Sequence, residues 1–464
     1  MTTDARGALE HLWALGGCDP SALDRVTLTG RDPVLPSNFK LGTAALATIG
    51  AAGLAAAELW RLRTGSRQTV AVDIKAAAAA FGSERYLRVN GQKAADPWSP
   101  VSGFYRAADG RWLQLHCNFP HHRDGVLRVL GCGGTREEVA AAVAGWKGAA
   151  LEDELAAAGL CAALVRPAGE WREHPQAQAV AGLPLFEISR IGDAAPEPCG
   201  DGSRPLSGAR VLDLTRVIAG PVCGRTLAEH GADVMLVTAS HLPSIDLLVM
   251  DTGRGKLSAY LDLRRADEAE RLRELIRQSD VFVQSYRPGA LAGRGFSPEE
   301  VARLRPGIVC VTLNAYGHAG PWRERRGFDS LVQCVSGIAH EGGVAAGQDR
   351  PKHLPAQAID HSTGYLAAFA AMAALARRAR EGGSYLVRLS LAQTGRWVDG
   401  LGRIDGVNAP ELRLEDIDDL LQTSETPFGT IRHVAPAARL SETPARWTRP
   451  AVPLGTHAAE WPSS

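Results

Sequence analysis

The sequence predicts an α/β protein with a doubly wound parallel sheet. Two observations carry this expectation. LSGARVLDLTRVIAGPVCGRTLAEHGADVMLV, from Leu206, reads as a strand over Arg210 to Leu214, a Gly-Pro turn, an amphipathic helix and a second strand. The alternation then continues for more than a hundred residues, which is how a parallel sheet with crossover helices is written in sequence. A chain of 464 residues holds two or three domains and can bury substantial cores.

The elements come in order along the chain. Residues 1–34 form a helical lead-in. Residues 35–190 open with NFKLGTAALATIGAAGLAAAELWRLRTGSRQTVAVDIKAA, a small-residue helix, an Arg-rich end, a Gly turn and an alternating strand, and continue into hairpin and helix patterns. Residues 191–205 read as a linker, because PEPCGDGSRPLSG, which runs through them to Gly208, is rich in Pro, Gly and polar residues. Residues 206–400 hold the parallel-sheet pattern: DTGRGKLSAYLDLR as a basic glycine loop entering a strand, a charged helix over Ala266 to Ser279, then DVFVQSYRPGAL and RPGIVCVTLNAYGHAGPW. A second small-residue helix and strand, AIDHSTGYLAAFAAMAALARRAREGGSYLVRLS, end this region, and residues 401–464 close the chain.

The two helix–strand segments share one plan. Aligning Val70 with Val387 sets Gly42 or Thr43 where Asp360 stands, so the first copy lacks the carboxylate. An acid in the first turn of a helix faces unpaired N–H groups and the positive dipole end, which favours its carboxylate and fixes its orientation. Asp also serves as an ordinary capping residue, so Asp360 draws its significance from the company it keeps.

Composition narrows the function. Lys+Arg and Asp+Glu balance at 51 each, so no global field recruits nucleic acid or an anionic membrane. The beginning of the chain lacks a basic-then-apolar leader, and Glu58 interrupts the Ala-rich run over 43–59, so a cytoplasmic protein without a membrane span is expected. Eight scattered cysteines lack a C-x-x-C pair, and neither a metal site nor a disulfide framework is expected. The adjacent His121 and His122 read as a solvated loop pair. The first turn, TRVIAGP, lacks G-x-G-x-x-G, which argues against a dinucleotide enzyme.

Six motifs in one order, LDLTRVIAGP, GADV, RGKLSAYLDL, YRPGAL, AYGHAGPW and GFDSLVQ, with Asp360 after them, resemble the family III CoA-transferases, a group that includes formyl-CoA and carnitine-CoA transferases and α-methylacyl-CoA racemases. The resemblance implies a Rossmann-like CoA-binding domain with the smaller α+β domain of that family. It implies Asp360 as a nucleophile that takes up CoA through an aspartyl intermediate. No cofactor is then permanently bound, because coenzyme A or acyl-CoA is the substrate and a carboxylic acid its partner. The motifs place Val217 and Ile218 on the CoA path, Ser285, Tyr286 and Ala290 on the adenine side, and Lys256, Arg326 and Arg294 as basic groups for the nucleotide. Arg294 lies one place from a family arginine whose matching position is Gly293. Ala239 stands for another family arginine, and Ile218 for a glutamine of the formyl-CoA enzyme, which argues against formyl or oxalyl substrates.

Phe328 occupies the position of a histidine base in the racemases and cannot titrate. A racemase reading would need His318 or His361 as a displaced base, and a non-catalytic CoA-binding protein is the other alternative. Gly342 and Gly343 are candidates for oxyanion amides by composition. The family's small domain normally comes after the nucleophile helix, whereas SPVSGFYRAADGRW and EWREHPQ place its pattern before residue 200. The N-terminal half is therefore expected to complete the site, in cis or across a dimer, and a homodimer is the expected assembly.

Overall fold

The computed structural model describes residues 3–462. The N-terminal half begins with the helix Ala5–Leu15, followed by β1 (Val26–Thr29), the helix Leu41–Thr64 and β2 (Val70–Asp73), so the expected helical lead-in over 1–34 also holds the first strand. β1 and β2 pair in parallel with Val26 opposite Val70, so the helix between them is a crossover. It has no polar face: its Ala, Gly and Leu residues are buried almost throughout. By length and composition it could cross a bilayer, but 94% of its apolar window is buried inside the molecule.

Next come β3 (Arg88–Val89), β4 (Gln92–Lys93), β5 (Gly103–Arg106), β6 (Trp112–Leu115) and β7 (Ala162–Leu164). β5, β6 and β7 form an antiparallel sheet. Helices Pro120–Leu130, Arg136–Val143 and Gly148–Ala157 share its core through Leu113, Leu115, Val126, Val139 and Leu151. This is the smaller α+β unit.

The large sheet uses β8 (Phe186–Gly192), β9 (Arg210–Leu214), β10 (Asp233–Thr238), β11 (Lys256–Tyr260), β12 (Val281–Gln284), β13 (Val309–Asn314) and β14 (Ser384–Ser390). Its order is β11-β10-β9-β12-β13-β14-β8. The six strands β9 to β14 are parallel, and β8 adds an antiparallel edge. The order reverses between β9 and β12. In open sheets of this kind ligands bind beyond the carboxyl ends of the two strands at that reversal, here after Leu214 and after Gln284.

The helix Ala358–Glu381 crosses from β13 to β14 and packs against its copy, Leu41–Thr64. The repeat is structural: β1–helix–β2 mirrors β13–helix–β14. Asp32 accepts the N–H groups of Gly42 at 2.9 Å and Thr43 at 2.8 Å, while Asp329 accepts that of Asp360 at 2.8 Å. Thr43 thus holds the place of Asp360. The chain closes with β15 (Leu421–Thr426), β16 (Gly429–Val434) and β17 (Ala438–Leu440). β17, which comes after the second copy, pairs with β2 of the first; β8, which comes after the first copy, pairs with β14 of the second. This reciprocal exchange ties the halves together and brings the N-terminal unit to the sheet's ligand-binding end.

Candidate active site

The turn after β9 is where the backbone departs most from ordinary geometry. Val217 sits at φ 74°, a left-handed conformation unfavourable for a β-branched residue. The turn aims Arg216 and Val217 across the sheet's carboxyl edge and starts the helix Ala219–Glu229 at Ile218. That helix lies close to the Asp360 helix because Gly364 has no side chain: a Cβ there would stand 2.6 Å from the carbonyl oxygen of Ala219.

A cavity of about 730 Å³ opens over this turn. Asp360, Val217, Ile218, Ser285, Tyr286, Ala290 and Arg326 all line it. Its opposite wall is Phe119 to His122 and Cys161, so the N-terminal half supplies that wall in cis. His121 and His122 belong to this wall, and His122 is buried, in contrast to the solvated loop expected. A second cavity of about 600 Å³ meets the first at Val217, Ile218, Phe328 and Asp360 and is walled by residues including Tyr86, Trp98, His116, Leu248 and His353. Asp360 stands where the two join.

Asp360 is 7% exposed. It lies in the first turn of its helix, three residues after the cap Gln357. Burial, then the charges of Asp329 and Glu84, hold its carboxyl well above the usual carboxylate range. Asp329 is fully buried, and burial pushes it up to about 6 against the hydrogen bonds from Asp360 and Gln333. His361 does not face either cavity; its Nε2 lies 3.1 Å from Glu84 Oε2.

The raised value has a consequence for stability. A carboxyl whose folded-state pKa is raised contributes stability that is present below its unfolded value and lost as pH rises through the folded one. Asp360→Asn stays neutral at all pH and is expected to melt above the wild type at pH 8, the difference shrinking towards pH 4. Thermal melts across that range check this, and a lower melting temperature for the variant at pH 8 contradicts it.

Two expected nucleotide ligands are elsewhere. Lys256 is the first residue of β11 rather than part of a loop, and is 1% exposed. Its Nζ donates to Asp213 Oδ2 at 2.7 Å and to the carbonyl of Pro221 at 2.8 Å. Gly224 makes room for the pair, since a Cβ there would lie 2.5 Å from Asp213 Oδ2. Committed to a buried carboxylate under the helix, the ammonium cannot reach a phosphate in the cavity. Arg294 is exposed on the turn Ala292–Arg294, donates to the carbonyl of Leu263 at 3.2 Å and lines neither cavity. Gly342 and Gly343 are inside the helix Ile338–Ala345, packed on the backbone of Lys352 and Arg350. His318 faces Glu187 at 3.9 Å and is also outside both cavities.

The cations that do line the first cavity include Arg216, Arg287 and Arg326. Arg216 donates to the carbonyl of Pro243 and lies 5.0 Å over the ring of Phe119. Arg326 donates to the carbonyl of Gly159 at 3.0 Å. Among the described residues none of the three has a carboxylate within ion-pair distance. Uncompensated guanidiniums converging on one cavity create a site for an anion such as a phosphate. The sequence signal for Arg216 was its place directly after the β9 strand, at the sheet reversal. No group of three or more potential metal ligands occurs among the described residues.

A sequence model of CoA-transferase family III matches residues 21–185 and 206–400. The chain belongs to CoA-transferase family III. An acetyl-coenzyme A transferase of Hypoxylon pulicicidum is 36% identical over 239 residues, which is 49% of this chain and 40% of that protein. An acyl-CoA transferase of Gibberella moniliformis is 33% identical over 318 residues, 63% of this chain and 55% of the relative. The chain spans about half the length of the curated relatives it matches. A crystal structure from Mycobacterium tuberculosis is 29% identical, with a TM-score of 0.38 over 43% of this chain and 59% of that one.

Proposed function

We propose that the protein moves coenzyme A between an acyl-CoA and a carboxylic acid, with Asp360 as the covalent way-station. The observation that carries this reading is Asp360 at the junction of two cavities, one lined by Arg216, Arg287 and Arg326 without carboxylate partners and the other by a mixture of apolar side chains, such as Trp98, Leu248 and Leu354, and polar ones. The relatives named as acetyl-CoA and acyl-CoA transferases support the same chemistry. The nucleotide and pantetheine arm occupy the first cavity, with Arg216, Arg287 and Arg326 toward the phosphates; the acyl group occupies the second.

The ionised Asp360 attacks the thioester carbonyl carbon, the C–S bond breaks, and CoA thiolate leaves behind a mixed anhydride. The thiolate then attacks the aspartyl carbonyl carbon, releasing the donor acid as carboxylate and leaving an aspartyl thioester. The acceptor carboxylate attacks that thioester, expelling CoA thiolate, which finally attacks the acceptor's own acyl carbon and frees Asp360. Each difficult exchange is split into easier steps. Burial desolvates the attacking carboxylate, and its raised pKa makes it a stronger nucleophile than an exposed aspartate once ionised. The rate should therefore rise with pH along a limb set by the Asp329–Asp360 pair as a unit.

Incubation with a panel of acyl-CoA donors and carboxylic acids, with mass spectrometry of the CoA species afterwards, tests this reading. A new acyl-CoA formed at the expense of the donor is the expected result, and hydrolysis or no change for every pair contradicts it. Arg216→Ala and Arg326→Ala should each weaken CoA binding roughly 10- to 100-fold, as for loss of a charge-assisted hydrogen bond. Calorimetry with CoA checks this, and unchanged affinity in both removes these arginines from the phosphate site.

A further inference from the structure

Three consecutive residues at the start of the helix Asp329–Val335 fix two groups at once. Asp329 holds the N–H of Asp360 at 2.8 Å. On either side of it, the ring of Phe328 stacks on the imidazole of His116, with centroids 3.8 Å apart and planes 12° from parallel, and Ser330 Oγ lies 3.4 Å from His116 Nδ1. Trp98 closes on the same imidazole edge-on at 5.8 Å. His116 is buried yet lines the second cavity together with Asp360 and Phe328. Its Nε2 has no hydrogen-bond partner among the described residues and is not sealed off from that cavity.

An imidazole clamped between two aromatic rings and held at one nitrogen is preorganised, and its free edge shares a cavity with the nucleophile. When the Ser330 hydroxyl donates to Nδ1, the ring proton resides on Nε2. We infer that His116 is a catalytic residue of the N-terminal half, donating from Nε2–H to the carbonyl oxygen of the acyl group under attack. This assignment rests on the transferase reading of Asp360. As the Asp360 carboxylate adds to the thioester carbon, the carbonyl π pair moves onto oxygen, and the Nε2–H bond meets that oxyanion. The pair returns as the C–S bond breaks, and no proton changes place. A neutral ring serves as this donor throughout, and burial keeps His116 neutral by pushing its pKa down to about 3. The same property sets it apart from a racemase base, which would have to hold the α-proton as imidazolium. Phe328, which removed the expected histidine from the site, here supplies the face that holds another.

The test compares wild type, His116→Phe and His116→Gln in one donor–acceptor pair, with kcat, KM and calorimetric CoA affinity measured on each. His116→Phe keeps an aromatic stack but loses the donor, and should lower kcat roughly 10²- to 10³-fold, as removal of one oxyanion donor does, with CoA affinity unchanged. His116→Gln keeps an N–H donor and should recover part of the loss. Should His116→Phe fold poorly, Ser330→Ala decides: misorienting the ring should lower kcat roughly 10- to 100-fold at unchanged CoA affinity. Wild-type kcat in a folded His116→Phe, or in Ser330→Ala, overturns the assignment while leaving the transferase reading intact. No transfer by the wild type with any pair overturns that reading and this assignment with it.

Discussion

Replacing Asp360 by Ala should abolish CoA transfer, lowering kcat by about 10⁴-fold or more, as loss of a covalent nucleophile does elsewhere, while the protein stays folded. The site explains both halves of this expectation. Every covalent step of the proposed transfer passes through the Asp360 carboxyl, and the oxyanion donor and arginines cannot act on an anhydride that never forms. Folding is spared because the helix Ala358–Glu381 takes its cap interaction from Asp329 to the backbone N–H of residue 360, which alanine retains. Removing a buried carboxyl that is costly to ionise also relieves the fold. Assays should therefore show an inactive enzyme that unfolds at a denaturant concentration at or above that of the wild type. Retained transfer in Asp360→Ala would exclude it as nucleophile; loss of activity accompanied by unfolding would make its role structural.

Lys256→Met should have the opposite character, costing about 3–5 kcal/mol of stability because Asp213 is left as a buried, uncompensated charge. Lys256 and Asp213 are 1% and 0% exposed at their side chains, and neither has access to water in place of its partner. Asp213 also accepts from the N–H of Thr215 at 3.1 Å, so the pair anchors the strained turn that carries Arg216 and Val217. Chemical denaturation reads the loss. The double variant Asp213→Leu with Lys256→Met should recover part of it, since replacing both partners by apolar groups avoids the stranded charge. A variant of wild-type stability with selectively weakened CoA binding would instead return Lys256 to the phosphate site.

Lys256 also marks the limit of what could be read from the sequence. In RGKLSAYLDL the lysine comes after a glycine and looks like part of a basic phosphate loop, and nothing local discloses that β11 begins at that residue. Its partner Asp213 is 43 positions away, and their union depends on how β9, β11 and the helix between them stack. The sheet itself was legible because each strand is a local apolar run and the order of motifs fixed their succession. The strand Arg210–Leu214 lies where the sequence placed it, and the charged helix beginning at Ala266 ends at Arg277, two residues earlier than expected. Residues directly after β9 and β12 could be assigned to the cavity, since strand ends at a sheet reversal converge whatever their side chains. Arg294 failed because a one-residue offset in an exposed turn points a side chain to solvent. His116 was invisible for another reason: its contact with Ser330 spans 214 positions and joins the two halves of the chain. The Asp-less repeat was readable, but what it does, exchanging β8 and β17 between halves so that the small unit walls the Asp360 site, is a property of topology.

If CoA passes through the Asp360 carboxyl, oxygen must be exchanged onto that carboxyl during turnover. An acceptor acid labelled with ¹⁸O in both carboxylate oxygens must leave one of them on Asp360 at each turnover, because the anhydride oxygen stays with the aspartate when CoA thiolate attacks the acceptor's carbon. Trypsin cleavage after Lys352 and Arg377 gives a peptide whose sole acidic side chain is Asp360. After turnover with donor acyl-CoA and labelled acid, that peptide is expected to gain heavy oxygen on Asp360, and to gain none when the donor is omitted. Sustained transfer of CoA to the labelled acid with no heavy oxygen in the peptide would exclude Asp360 as the carrier.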